Sequence, residues 1–230
     1  MTLPDLLTRY QEPIESTLQA TLEGRQHPLY HLIEYQMGWM DEGGGHQVKP
    51  SFRLHPTLTL SICEALGGDA TQANPGAMAI EMLHQFTRVH DDIQDGDSTR
   101  RGRATLWSIW GTPKAVTAGN AMRVIADQAM RALHLRGISA ANATNAAMEL
   151  TRSYLEMIEG QYLDMSFETI QRVSVDGYLD MIGRKTGALI QSAMYIGALI
   201  ATGKESVART FGECGRSLGL AFQVRDDYLG

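Results

Sequence analysis

Along most of the chain, apolar residues return every three or four positions, the spacing that lines one face of a helix. The strict alternation of a half-buried strand is nearly absent. Residues 3–22 place Leu6, Leu7, Tyr10, Ile14, Leu18 and Leu22 near one face and read as a first helix, and 29–39 as a second. A loop is expected over 41–50, which holds Gly43-Gly44-Gly45 and ends in Pro50. Further helices are expected over 58–66, 76–93, 113–135, 139–168, 175–202 and from 204 onward. Gly67-Gly68-Asp69, Gly96-Asp97-Ser98, Gly111-Thr112-Pro113 and Gly137 punctuate these runs. Pro113 suits a first helical turn, and Ser139 and Ser174 suit N-caps. No repeat or low-complexity segment interrupts the pattern. The expectation is one all-α domain over 1–230, with about eight helices.

Composition narrows this reading. The chain has 230 residues, enough for one domain with a real core. With 43% hydrophobic and 20% charged residues, bulk disorder is excluded. A net charge of −6 argues against a nucleic-acid backbone as partner. Cys63 and Cys214 are the only cysteines, so neither a disulfide framework nor a cysteine-rich zinc site is expected. The N-terminal residues lack the basic-then-apolar pattern of a secretion signal. The longest apolar stretch, 187–201, is short and contains Gln191 and Ser192, so no transmembrane segment is expected. A soluble, cytoplasmic protein follows as the expectation.

The chemistry concentrates in HQFTRVHDDIQDGDSTRRGRATLW, residues 84–107. On a helix, Asp91 and Asp95 point the same way one turn apart, with Asp92 beside them. Three carboxylates this close repel one another, and they sit near the C-terminal end of a helix, where the dipole disfavours anions. A solvated acidic face is the plain alternative, but the arrangement favours a bound cation. Hard oxygen donors without His or Cys suit Mg²⁺, which shares its ligands with phosphates. A second acidic pair, Asp226-Asp227, also follows a long apolar helix, and antiparallel helices would aim both clusters into one bundle cavity. Arg100, Arg101, Arg103 and Lys185 supply cations for a diphosphate and for its departure.

These segments resemble those of the trans-isoprenyl diphosphate synthases, the polyprenyl synthetase family. LHQFTRVHDDIQD resembles the first aspartate-rich motif, and RRGRATLW the R-R-G-x-P-T-x-W stretch, with Ala104 in place of proline. EGQYLDMSFE resembles the G-Q-x-x-D segment and GRKTGALI the K-T-G segment. FQVRDDYLG resembles the second aspartate-rich motif, with Gly230 at its last acidic position. The resemblance implies an antiparallel, partly orthogonal helix bundle of the isoprenoid synthase type around a central cavity, and a homodimer. It implies that Asp91, Asp92 and Asp95, with Asp226 and Asp227, hold about three Mg²⁺ ions. Arg100, Lys185 and Gln223 would contact the allylic diphosphate, Arg101 and His84 would face isopentenyl diphosphate, and Thr186 would stabilise the allylic cation. The activity implied is head-to-tail condensation of the two diphosphates, with release of pyrophosphate.

Two departures stand out. Where the family carries G-K-R-x-R-P, this chain reads Ser51-Phe52-Arg53-Leu54-His55-Pro56. Arg53 matches and is expected to bind substrate, but Phe52 and His55 replace two cations that grip isopentenyl diphosphate. Lys49 or His46 would compensate only from a loop folded inward. The chain also ends at Gly230, where the family continues for several helices, which implies a truncated record or a reduced bundle. Five positions before Asp91, Phe86 is expected to cap the prenyl tail, while Met82, Ala79 and Met78 leave room or simply pack the core. A product of fifteen or twenty carbons is expected. Two other readings remain: a terpene synthase or a prenyltransferase for another acceptor, and a non-catalytic subunit of a prenyl synthase. GRSLG (215–219) matches G-x-S-x-G, but in a helical run its small residues fit close packing better than a nucleophile.

Overall fold

The helical periodicity is realised in a computed structural model that describes residues 8–45 and 52–229. The expected start of the first helix before Thr8, the cations His46 and Lys49, and Ser51 and Gly230 lie outside the described residues. The helices run α1 Gln11–Ala20, α2 Leu29–Met37, α3 Leu54–Ala65, α4 Ala70–Gln94, α5 Leu106–Trp110, α6 Thr112–Arg131, α7 Ala140–Phe167, α8 Val175–Ile182, α9 Ala188–Thr202 and α10 Glu205–Leu229. A 3₁₀ turn, Ala132–Arg136, ends α6, and a π-turn, Gly183–Gly187, joins α8 to α9.

The centre of the bundle follows from α9. Residues 188–200 are buried apart from Gln191, so this helix is apolar all round and must be enclosed. Helices α3, α4, α7 and α10 enclose it, and α6 covers the far side of α4. The long α4 buries Ala77, Met78, Ile80, Met82, Leu83, Phe86 and Val89, which fixes how its acidic end is aimed. Ser139 and Ser174 cap α7 and α8 as expected, accepting from the amides of Asn142 and Gly177. Pro113 lies in the first turn of α6. Cys63 and Cys214 are free.

Three features depart from the periodicity. Helix α4 begins at Ala70, not at residue 76, because Asp69 caps it by accepting from the Thr71 amide and hydroxyl, both at 2.8 Å. Pro75 then sits inside the helix, giving up one backbone donor. The expected single helix over 175–202 is broken by the π-turn. Between α4 and α5 lies a small antiparallel hairpin, β1 Thr99–Arg100 and β2 Arg103–Ala104, with Arg100 opposite Arg103. Its two-residue loop has φ of 51° at Arg101 and 76° at Gly102, the positive pair that matches the twist of the strands. For Arg101 this conformation costs roughly 1–3 kcal/mol. The hairpin is tied to α2: the Tyr35 hydroxyl donates to the Ala104 carbonyl at 2.7 Å, and Arg103 donates to the carbonyls of Tyr35 and Met40.

Candidate active site

Helices α3, α4, α7, α9 and α10 and the π-turn surround a cavity of about 1130 Å³. Its polar end carries Asp91, Asp95, Arg100, Arg101, Lys185, Thr186, Gln223 and Asp226; Phe86, Tyr154, Met157, Leu189 and Ile190 supply apolar wall. Asp91 and Asp95 meet Asp226, 135 and 131 positions later in sequence, because α4 and α10 both end at this mouth.

The π-turn is held from two sides by the close approach of backbone. A Cβ on Gly160 of α7 would lie 2.3 Å from the Lys185 nitrogen, and one on Gly219 of α10 would lie 2.7 Å from the Gly187 Cα. Only glycine lets these helices clasp the turn, and the wide backbone loop turns Lys185 and Thr186 to the cavity. The GRSLG segment thus serves packing: Gly215 and Gly219 both lie against the backbone of the π-turn and α9. Lys185 pairs with Asp164. Thr186 donates to Gln223 at 2.8 Å, Gln223 donates to Asp227 at 2.8 Å, and Tyr178 also donates to Asp227. Gln161 donates to Asp95 at 3.2 Å.

The Asp91 carboxylate accepts no hydrogen bond among the described residues. Burial pushes its carboxyl up to about 6, with Asp95 and Asp92 adding to the rise and Lys185 and Arg100 opposing it. Asp92 is buried, paired with Arg100, and lines an adjoining smaller cavity instead of the large one. Asp227 does not line the large cavity and is held by Gln223 and Tyr178. Among the described residues no three acidic, His or Cys side chains are already gathered as a ligand set. The oxygen donors Asp91, Asp95 and Asp226 that line the cavity fit Mg²⁺, which keeps several waters and takes one or two carboxylates plus substrate phosphates. Asp91, with oxygen donors and no partner, is suited to hold such an ion.

A pH dependence follows. Below about pH 4 the Asp91 carboxyl is neutral in both folded and unfolded chain; as pH rises to about 6 the unfolded chain ionises it first, so the fold loses stability across that window. Cation binding needs the ionised form. Mg²⁺ affinity should therefore fall about tenfold per pH unit below about pH 6 and level off above it. Calorimetric Mg²⁺ titrations across this range check the slope.

Arg53, expected at the substrate, is placed elsewhere. It does not line the large cavity but is 3% exposed. Its guanidinium donates to Glu15 at 2.7 Å, to Glu81 at 3.1 Å and to the Met37 carbonyl at 2.6 Å. Burial works against its charge, yet Glu81 and Glu15 outweigh burial and raise its pKa. His84 does line the cavity, its ring tilted 45° against His55 with centroids 4.4 Å apart. Burial drives His55 down to about 4 and His84 well below its ordinary value, so both rings are neutral at pH 7. Phe86 lines the cavity, edge-on to Tyr154 at 5.3 Å. Met78, Ala79 and Met82 do not; they are core residues, at 2%, 0% and 0% exposure. The sequence reading gave no role to Gln161 or Asp164, although both lie in the quoted G-Q-x-x-D segment. Their i, i+3 spacing on α7 was the available signal, since it puts both on one face.

An all-α bundle that gathers two acidic helix ends at one cavity defines the isoprenoid synthase fold. A family model described as polyprenyl synthetase matches residues 39–230. The chain belongs to the polyprenyl synthetase family. It is 34% identical to a geranylgeranyl diphosphate synthase of Mycobacterium tuberculosis (strain ATCC 25618 / H37Rv), covering 98% of this chain and 63% of that protein. It is 36% identical to a (2E,6E)-farnesyl diphosphate synthase of Mycobacterium bovis (strain ATCC BAA-935 / AF2122/97), covering 100% of this chain and 62% of that protein. The solved polyprenyl synthetase of Streptomyces coelicolor A3(2) superposes with a TM-score of 0.91 at 35% identity, over 100% of this chain and 67% of that one. The chain thus spans under two thirds of the length of these two mycobacterial relatives. No helix among the described residues is long and apolar enough to cross a membrane.

Proposed function

We propose that the protein is a Mg²⁺-dependent short-chain prenyltransferase that joins an allylic diphosphate to isopentenyl diphosphate. The observation that carries this is the polarity of the large cavity: carboxylates from the ends of α4 and α10, with Lys185, Arg100 and Gln223, share one end of an otherwise largely apolar chamber. The names of the mycobacterial relatives support it.

In this reading Asp91, Asp92, Asp95 and Asp226 hold about three magnesium ions, with Asp227 steadying the second cluster through Gln223. Magnesium, when bound, neutralises the diphosphate and stabilises it as a leaving group. Lys185 and Arg100 grip the same diphosphate, and Asp164 keeps Lys185 in place. The allylic C–O bond breaks with its electron pair going to pyrophosphate. Thr186, whose proton is committed to Gln223, presents an oxygen lone pair to the cation. The double bond of isopentenyl diphosphate then forms the new C–C bond, and the proton lost passes to pyrophosphate. The apolar walls keep water from the cation. A cytoplasmic homodimer remains our expectation; Met148 and Leu155, seven residues apart on α7, are exposed on a face that a second helix could cover.

Phe86, backed by Tyr154, closes one wall of the tail chamber and favours a product of fifteen or twenty carbons. Phe86→Ala should shift the products toward longer chains, read by chromatography of the dephosphorylated alcohols. Phe52 and His55 favour a second reading, a different acceptor, because neither offers a cation. Purified protein with Mg²⁺, labelled isopentenyl diphosphate and dimethylallyl, geranyl or farnesyl diphosphate separates the two. A labelled prenyl alcohol after phosphatase supports condensation. Pyrophosphate release without label incorporation moves the assignment to a cyclase or another acceptor. Neither signal points to a non-catalytic subunit.

A further inference from the structure

Beside the large cavity lies a second one of about 230 Å³, and Arg88, Arg100 and Arg101 line both. Arg103 also borders it, so four guanidiniums face one carboxylate, Asp92. Two of these guanidiniums are accounted for. Arg100 is paired with Asp92 and Asp97, and Arg103 caps the carbonyls of Tyr35 and Met40. Arg88 is different. It is half-buried on α4, one turn after His84 and one turn before Asp92. Among the described residues no carboxylate lies within ion-pair distance, and its one hydrogen bond is a long one, 3.4 Å to Gln85, an oxygen that also accepts from Gln36. Burial, with Arg100 and Arg101 close by, pulls its pKa down. Asp92 and Glu81 oppose this only from beyond ion-pair distance. A partly desolvated guanidinium with no paired carboxylate among the described residues, beside two more, is an arrangement that an anion relieves.

The surroundings say which anion. Phe52, His55 and His84 flank the same part of the large cavity and carry no charge at pH 7. Arg53 is consumed by Glu15 and Glu81. Among the described residues, Arg88 and Arg101 are therefore the cations left on this flank.

We propose that Arg88, with Arg101, seats the diphosphate of the acceptor substrate at the junction of the two cavities, replacing the cations absent at Phe52 and His55. This rests on the prenyl-transfer reading for the identity of the acceptor, isopentenyl diphosphate, but not for the anion site itself. Arg88 is thus a substrate-binding residue inside the stretch that resembles the first aspartate-rich motif, at a position to which the resemblance assigns no role. It grips the acceptor directly, without a metal, and leaves the Asp-rich end to the allylic diphosphate.

Two variants test it: Arg88→Met, which keeps the length and removes the charge, and Arg88→Lys, which keeps the charge and loses the fork. In steady-state assays R88M should raise the KM for isopentenyl diphosphate about ten- to a hundredfold, and leave the KM for the allylic diphosphate within about twofold. R88K should recover part of the loss. Calorimetry with isopentenyl diphosphate in the presence of a chelator should detect binding to the unmodified protein and none to R88M, with melting temperatures alike. An unchanged KM for isopentenyl diphosphate in R88M overturns the proposal and leaves prenyl transfer intact. Metal-free binding that depends on Arg88, without condensation on any allylic diphosphate, upholds the anion site and removes the prenyl-transfer reading. Loss of binding that tracks a lowered melting temperature and is not rescued by R88K overturns the proposal in favour of a structural role.

Discussion

Asp91→Asn is expected to lower Mg²⁺-dependent release of pyrophosphate from an allylic diphosphate by about a hundred- to a thousandfold. The amide keeps the shape and removes the negative charge from a half-buried carboxylate that, among the described residues, accepts no hydrogen bond. The magnitude is that of losing one preorganised electrostatic contact to a charge that develops in the transition state. Stability should move the other way. The buried carboxylate is a liability to the fold at neutral pH, so the amide should leave the melting temperature unchanged or raise it slightly. Steady-state pyrophosphate assays beside thermal melts read both quantities. A variant that loses activity and stability together would show that Asp91 supports packing instead of cation binding.

The largest effect on stability is expected from Arg53→Ala. This residue joins α3 to α1 and α4 through Glu15 and Glu81, and Glu15 also accepts from the Trp39 indole at 2.7 Å. Removing the guanidinium strands two buried carboxylates, one of which already has an oxygen without a partner. Breaking a buried pair in this way costs about 3–5 kcal/mol. Part should return when Glu81→Gln is added, because one uncompensated charge is gone. Denaturant titrations of the single and double variants measure this. If Arg53 instead contacts isopentenyl diphosphate, R53A should be close to normal stability with only a raised KM for that substrate.

The contrast between these residues explains what was legible in the sequence. Asp91, Asp95, Asp226, Lys185, Thr186 and Gln223 sit in short motifs whose chemistry is local, and the helices that carry them announce themselves by period. The structure gathers them at one cavity end. Arg53 lay in an equally recognisable motif, but its partners Glu15 and Glu81 are 38 and 28 residues away, and no local pattern encodes that pairing. The hairpin at 99–104 was hidden because its turn is Arg-Gly, lacking the Asn-Gly or Asp-Gly signal, and its strands are two residues long. The π-turn was hidden because a widened turn leaves the apolar pattern of 175–202 almost unbroken. Helix α3 starts at Leu54 where residue 58 was expected: Pro56 lies in its first turn, where a proline costs no hydrogen bond. Arg88 is a cation on a largely apolar helix face, and only the two adjoining cavities give it a use.

The central claim is that the acidic ends of α4 and α10 bind a single diphosphate through divalent cations. Calorimetric titration of inorganic pyrophosphate, with and without Mg²⁺, tests it most directly on the unmodified protein, Asp91→Asn and Asp226→Asn. The account predicts tight binding that requires Mg²⁺ and is lost about equally in either variant, although the two residues belong to helices far apart in sequence. Mg²⁺-dependent binding that is untouched by Asp226→Asn, or binding that proceeds equally well without Mg²⁺, would contradict it.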